Sequence, residues 1–162
     1  MHPRAIQDEY PDDYSHCYGC GRLNEHGLQI KSYWEGDEAV CTYTPEPYYM
    51  GIPGYVYGGL IASLIDCHCV AAAAAAYDAH EAVPPHADVP PHEDVRTRFV
   101  TAALHVDYLR PTPLGVPLEI RARATEIAER KVVLSATLSA EGEVCARGEV
   151  VAVRIPDNML TT

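Results

Sequence analysis

Lysine and arginine are scarce in the first 95 residues, which hold three of them against 15 acids, whereas residues 96–162 hold nine against eight. Over all 162 residues the net charge is −11. Duplex nucleic acid is therefore not an expected partner, because binding it requires a broad surplus of phosphate-neutralising cations. A smaller anion, held by a few local arginines, remains compatible. The first 17 residues also lack an apolar core, so they read as neither a signal nor a transit peptide but as a flexible acidic arm over residues 1–16. Without a secretion signal, the six cysteines (Cys17, Cys20, Cys41, Cys67, Cys69 and Cys145) are expected to stay reduced in a cytoplasmic protein. Hydrophobic content of 48% and charged content of 22% suit one domain with its own core, placed at residues 17–157, followed by a short tail at 158–162.

Proline is absent from Gly58 to Tyr77, and β-branched residues are few there. With a block of six alanines, the segment is expected to be helical. Twenty residues at ~1.5 Å each would reach across a bilayer. Asp66 and His68 at its middle argue against insertion, since an acid there costs roughly 2.5–3.5 kcal/mol and alanines offset little of it. The segment reads instead as a buried helix whose small side chains let other elements approach closely.

Strands are expected at Gln29–Trp34 and Glu38–Thr44, joined by a turn at "EGD". "PEPYYMGIPGY" has too many prolines and glycines for regular structure and reads as a loop. After the helix comes a proline-rich loop insertion, 78–96, containing the tandem repeat "VPPHAD", "VPPHED". Its two histidines and three acids offer a metal site or a lid over a ligand pocket as readings, against which repeat slippage in a tolerant loop is preferred. In the last third, "ALHVDYLRP", "PLEIRARATEI", "KVVLSATLSA" and "EVCARGEVVAVRI" alternate apolar and polar residues as half-buried antiparallel strands do. The expected class is α+β: two strands, one long helix, then four strands, with the helix packed on one antiparallel sheet.

Four pieces of the chain, "CYGCGRLNEHGL", "GIPGYVYGGLIASLID", "HVDYLRPTPLGVPLEIRARA" and "ERKVVLSATL", resemble the hotdog-fold acyl-CoA thioesterases, in particular the PaaI-like branch of phenylacetate pathways. In that fold a curled sheet wraps one central helix. The family pattern is His-Gly-Gly with an acid on the helix eight residues after the first glycine. Gly58, Gly59 and Asp66 fit this spacing, while Tyr57 stands where the family has histidine.

The resemblance implies hydrolysis of an acyl-CoA thioester to free acid and coenzyme A, with no separate cofactor. Such chemistry needs a base for water and donors for a developing oxyanion. Asp66 is the expected base or nucleophile. The helix N-terminal amides at Gly58 and Gly59 are the expected oxyanion donors, and the Tyr57 phenol is a further candidate donor, or else filler at the helix start. Arg110, Arg130 and Lys131 match basic positions of the family pieces and are candidate contacts for coenzyme A, with Tyr55 and Ser63 assigned to the substrate side. Tyr48 and Tyr49 join Tyr55 and Tyr57 as loop aromatics able to line an acyl pocket. Eight helical residues separate Gly58 from Asp66 by ~12 Å, too far to serve one thioester. Two antiparallel helices across a two-fold axis would solve this, so a homodimer or a dimer of dimers is expected.

Two other readings compete. A non-catalytic hotdog protein that binds acyl-CoA or another small ligand is suggested by Tyr57 in place of histidine; a dehydratase has no histidine before the helix to act through. A zinc module using Cys17 and Cys20, with His16 and His26 nearby, rests on one C-x-x-C pair, whereas a closed site wants four ligands. Cys67 and Cys69 point to different sides of a helix and do not chelate together. No metal ligand is therefore assigned.

Overall fold

The alternating pattern of the last third places one apolar row of each strand on a common face, and such a face is stable only when something covers it. A computed structural model, which describes residues 4–82 and 97–159, shows what does. The elements run β1 (Tyr33–Glu35), β2 (Glu38–Tyr43), α1 (Gly58–His80), β3 (Phe99–Tyr108), β4 (Leu118–Ala128), β5 (Lys131–Ala140) and β6 (Glu143–Arg154), with short 3-10 turns between and around them. All six strands join one sheet in the order β1-β2-β4-β5-β6-β3, every neighbour antiparallel. One long helix on one antiparallel sheet is the expected hotdog architecture. Gly36, at φ +74°, closes the first hairpin, and Glu141 and Gly142, at +52° and +81°, close the last with the paired left-handed residues that such tight turns require.

α1 lies across a furrow in the sheet. Ala39, Ala122, Ala136 and Gly148 are register neighbours on β2, β4, β5 and β6, a row of small residues running under the helix. A Cβ added to Gly148 would lie 2.5 Å from Cγ2 of Ile65, so the glycine is what lets that side chain seat on the sheet. Around this contact Leu64, Leu134, Leu138 and Val150 are fully buried, and Ala71–Ala76 are all sealed from solvent. α1 is long and apolar enough to cross a membrane, but 67% of its most apolar 18-residue window is buried by the rest of the chain. Its alanines are spent on close approach to the sheet.

Three expectations are corrected. The first strand is shorter than Gln29–Trp34 because its backbone is engaged elsewhere. Gln29 is left-handed (φ 57°), the Ile30 amide bonds the Gly19 carbonyl at 3.1 Å, and the Ser32 carbonyl accepts from Ile6 at 2.8 Å. The acidic arm is not loose over its described part: Ala5, Ile6 and Gln7 are each 1% exposed. The helix continues to His80, so the insertion begins later than residue 78; the repeat Val83–Asp94 lies outside the described residues.

What fastens the arm is a buried polar chain. Gln7 Nε2 donates to Ser32 Oγ at 2.9 Å, and the Ser32 amide returns to Gln7 Oε1 at 2.8 Å. Ser32 Oγ sits 2.8 Å from His68 Nδ1, and His68 Nε2 sits 3.0 Å from the Ala39 carbonyl. A carbonyl only accepts, so Nε2 carries the proton and Nδ1 accepts from the serine. Every member is satisfied, which is the condition under which a fully buried imidazole is tolerated.

Burial lowers the His68 pKa from 6.5 to about 4, against the opposing pull of its bond to Ala39. The unfolded chain therefore takes up this proton near pH 6.5 while the folded chain resists it until about 4. Protons favour the unfolded state across that window, so stability is whole above the upper value and falls by roughly 3 kcal/mol toward the lower one. His68→Gln, which has no such proton to take up, is expected to show a shallower loss of urea midpoint between pH 7 and 4.5. Identical slopes for the two proteins would contradict this.

Candidate active site

The sheet leaves one stripe of α1 uncovered. Gly59, Ala62, Ser63, Asp66, Cys67 and Val70 recur at helical spacing and are all only half-buried, while their neighbours Leu60, Leu64, Ile65 and His68 are sealed. Asp66 is thus not deep in the apolar core, as its sequence neighbours suggested, but on the open stripe. Thr101 Oγ1 donates to Asp66 Oδ1 at 2.5 Å. Thr101 starts the exposed part of β3, next to a bulge at Ala102 that re-aims the strand there. Beside the pair is a cleft of ≈ 270 Å³, lined among others by Asp66, Cys67, Val70, Phe99 and Thr101. Thr101 had no sequence signal beyond a polar residue at a strand start; only the chain crossing brings it to the acid.

The other end of the stripe is the tip of α1. Tyr57 is the N-cap residue and makes no side-chain cap, and the Leu60 amide is taken by the Tyr57 carbonyl at 3.1 Å. The amides of Gly58 and Gly59 make no hydrogen bond among the described residues. Two phenols cover this tip. Tyr108 Oη donates to the Gly58 carbonyl at 2.7 Å, and Tyr57 folds back so closely that a Cβ on Gly59 would lie 1.9 Å from its Oη. Burial raises the Tyr108 pKa, with Tyr57 adding to it, so its hydroxyl stays a donor at neutral pH. A second cleft, ≈ 440 Å³, opens here against Tyr55, Gly58, Ile61, Tyr108 and Arg110.

These two clefts share no lining residue. Of the residues singled out in the sequence, Tyr55, Tyr57, Gly58, Gly59 and Arg110 gather at the tip, and Asp66 stands apart with Thr101. Ser63 lies between, its hydroxyl donating to the Gly59 carbonyl at 2.9 Å. Arg110 is paired with Glu143 at 2.7 Å. Arg130 and Lys131 are at the β4–β5 turn, with Lys131 2.9 Å from Glu126, and line neither cleft. Tyr48 is exposed on the preceding loop and packs on Tyr49 with ring centres 4.8 Å apart. One chain thus carries two separate clefts along the open stripe.

A cluster outside the expected set borders Asp66. The sulfurs of Cys17, Cys20 and Cys67 all lie within 4.8 Å of one another, with Cys17 and Cys67 3.8 Å apart. Bonds from Cys20 first and Cys67 next hold the Cys17 thiol well below its ordinary pKa, while Cys20 and Cys67 are pushed up, each chiefly by its bond to Cys17. Sequence spacing set Cys67 against Cys69. Cys69 does face the other way, fully buried, and the partner of Cys67 is the distant C-x-x-C loop.

Residues 53–152 match the family described as the thioesterase superfamily. The acyl-coenzyme A thioesterase THEM4 of Xenopus laevis is 31% identical over 116 residues, 72% of this chain and 44% of the relative. The chain thus spans less than half the length of that relative. A thioesterase superfamily protein from Shewanella loihica PV-4 is 44% identical, with a TM-score of 0.66 over 91% of this chain and 100% of that one. The E. coli PaaI protein of the phenylacetic acid degradation operon shares the fold at 19% identity, with a TM-score of 0.63 over 80% and 81% of the two chains. So does smu.793 of Streptococcus mutans UA159, solved bound to acetyl CoA, at 16% identity and a TM-score of 0.63 over 83% and 96%.

The tip geometry is testable without any assay of activity. Gly59→Ala places a methyl where the Tyr57 hydroxyl now sits, and the displaced atom is the far end of a side chain that is 53% exposed. The variant is expected to keep its stability to within about 1 kcal/mol, with the Tyr57 ring rotated away in its crystal structure. A Tyr57 that stays in place while the first turn of α1 unwinds would contradict this reading.

Proposed function

The chain belongs to the thioesterase superfamily, and from that premise we propose that it hydrolyses an acyl-CoA thioester at a site completed by two copies of itself. One observation carries the reading: the oriented carboxylate and the uncapped helix tip lie on one uncovered stripe of α1 but open into separate clefts, ~12 Å apart along the axis. A second copy running the opposite way would set its own tip against Asp66. The surface it would use is exposed. Among the described residues β3 is an outer strand bonded only to β6, and Thr101–His105 are all solvent-facing. An edge this long is a ready template for pairing. The acyl-CoA substrate class is supported by the name of the curated relative and by the acetyl CoA bound to a protein of the same fold.

In this reading Thr101 holds Oδ1 of Asp66, and Oδ2, which has no hydrogen bond among the described residues, takes a proton from water. The oxygen adds to the acyl carbon, and the carbonyl electron pair moves onto an oxyanion facing the amides of Gly58 and Gly59 of the second copy. Helix N-terminal amides suit that charge because they are fixed donors with the positive end of the helix behind them. Collapse expels the coenzyme A thiolate, which the proton neutralises, and the acid leaves. Direct attack by Asp66 on the acyl carbon, through an anhydride that water opens, uses the same groups. The Tyr57 phenol lies over Gly59 and serves as an extra donor to the oxyanion. Arg110 of one copy with Arg130 and Lys131 of the other would meet the phosphates of coenzyme A, the cations that the acidic first half does not supply.

Release of free thiol from a broad panel of acyl-CoA esters tests this. Wild type is expected to turn over, and Asp66→Asn to fall about 10²- to 10⁴-fold in kcat with an unchanged melting temperature. Thr101→Val, which removes only the orienting bond, is expected to fall less. If the folded wild type releases no thiol from any ester but binds one, the chain is a binding protein of this fold, the reading that Tyr57 in the histidine position favours.

A further inference from the structure

We propose that Cys17, Cys20 and Cys67 form a site for a soft divalent metal ion of the Zn²⁺ class, which clamps the C-x-x-C loop to the middle of α1 beside Asp66. The three sulfurs arrive from segments 50 residues apart and converge within 4.8 Å. Bonds of ~2.3 Å in tetrahedral array put ligand sulfurs roughly 3.8 Å from one another. The Cys17–Cys67 separation is 3.8 Å. A disulfide would join two of the three at ~2.05 Å and leave the third without a function there, whereas a metal uses all three.

The loop is shaped around the sulfurs. A Cβ on Gly19 would lie 2.2 Å from the sulfur of Cys67, and one on Gly21 would lie 2.4 Å from the backbone nitrogen of Cys17. The Gly21 amide closes the turn on the Cys17 carbonyl at 2.8 Å. Gly19 thus makes room for the Cys67 sulfur and Gly21 for the tight turn that carries Cys17 and Cys20, an arrangement that a surface turn holding unrelated cysteines would not need. The one C-x-x-C pair that looked too small for a metal gains its third ligand from the helix. All three cysteines line the cleft that Asp66 also lines, so a metal held by them would have the composition of an open site, three protein ligands and one exchangeable one. This site stands on its own geometry and holds whether or not the chain hydrolyses thioesters.

The test is metal content and metal binding of the full chain. Protein purified under reducing conditions without chelator is expected to carry about one zinc per chain by elemental analysis. After chelation in the presence of reductant, Co²⁺ is expected to produce thiolate-to-metal charge-transfer bands and the visible bands of a tetrahedral ion. Added Zn²⁺ is expected to abolish them and to raise the melting temperature. Cys17→Ser, on an exposed position that leaves the core untouched, and Cys67→Ser should each weaken Co²⁺ binding by at least about 10-fold. Cys69→Ala, on the sheet side of α1, should not. Circular dichroism shows which variants are folded, and Cys17→Ser alone suffices if Cys67→Ser is not. Absence of both zinc and cobalt binding by reduced, folded wild type overturns the proposal. So does binding that Cys17→Ser leaves unchanged, or a Cys17–Cys20 or Cys17–Cys67 disulfide as the state trapped by thiol alkylation in lysed cells.

Discussion

An α-helix of 23 residues has more circumference than a six-stranded sheet can wrap, and the candidate site lies where the wrapping stops. The sealed side of α1 is set by the furrow of small residues from Ala39 to Gly148, and above all by Ile65 seated over Gly148. Because the gap at Gly148 is shaped to one side chain, it fixes the rotation of the helix about its axis. With Ile65 inward, the next residue, Asp66, must face outward toward β3, where Thr101 meets it. A half-turn of the helix would bury the carboxylate without a partner, at a cost of several kcal/mol. Packing and site orientation are therefore one constraint, and the alanines that follow Val70 extend the same close contact to the far end of the helix.

Much of this was legible in the sequence. The period-2 alternation survives in β4, β5 and β6, which each keep one face on the helix, whereas β3 is solvent-facing from Thr101 to His105. The Gly-Gly opening marked the start of α1, but its apolar neighbours hid that Asp66 faces outward. What the sequence did not show lies where segments distant along the chain meet. Gln29–Ser32 has the composition of a strand, but its amides and carbonyls bond the Cys17–Gly21 loop and the N-terminal arm instead of a ladder. The arm looked polar and loose because its anchor is a chain of hydrogen bonds through Gln7, Ser32 and His68, no two of which are neighbours in sequence. Thr101 and Cys67 were invisible for the same reason: each matters only through a residue more than 30 positions away.

Those same distant contacts link the parts into one apparatus. His68 fastens the arm from the sealed side of α1, and Cys67, its neighbour, meets the C-x-x-C loop from the open side. The arm and loop are thus gripped on both flanks of a single helical turn, and that turn also carries Asp66. Any clamp on the loop is a clamp on the wall of the cleft. At the other end of the stripe nothing comparable closes the tip: Tyr57 and Tyr108 lie over it, but the amides of Gly58 and Gly59 stay without hydrogen bonds among the described residues. A donor pair so placed, at the edge of an exposed strand, is what a second helix of opposite direction would meet.

The central claim, that base and oxyanion donors come from different copies, is tested most directly by co-expressing Asp66→Asn with Gly59→Val, each carrying its own tag, and assaying the isolated mixed dimer on an acyl-CoA that the wild type cleaves. Each parent has a defect in both of its sites, whereas the mixed dimer would place both defects in one site and leave the other whole. The account predicts that the mixed species regains about half of the wild-type kcat per dimer, with the parents near zero. A mixed dimer no more active than the parents, or a wild type that is fully active as a monomer, would contradict it.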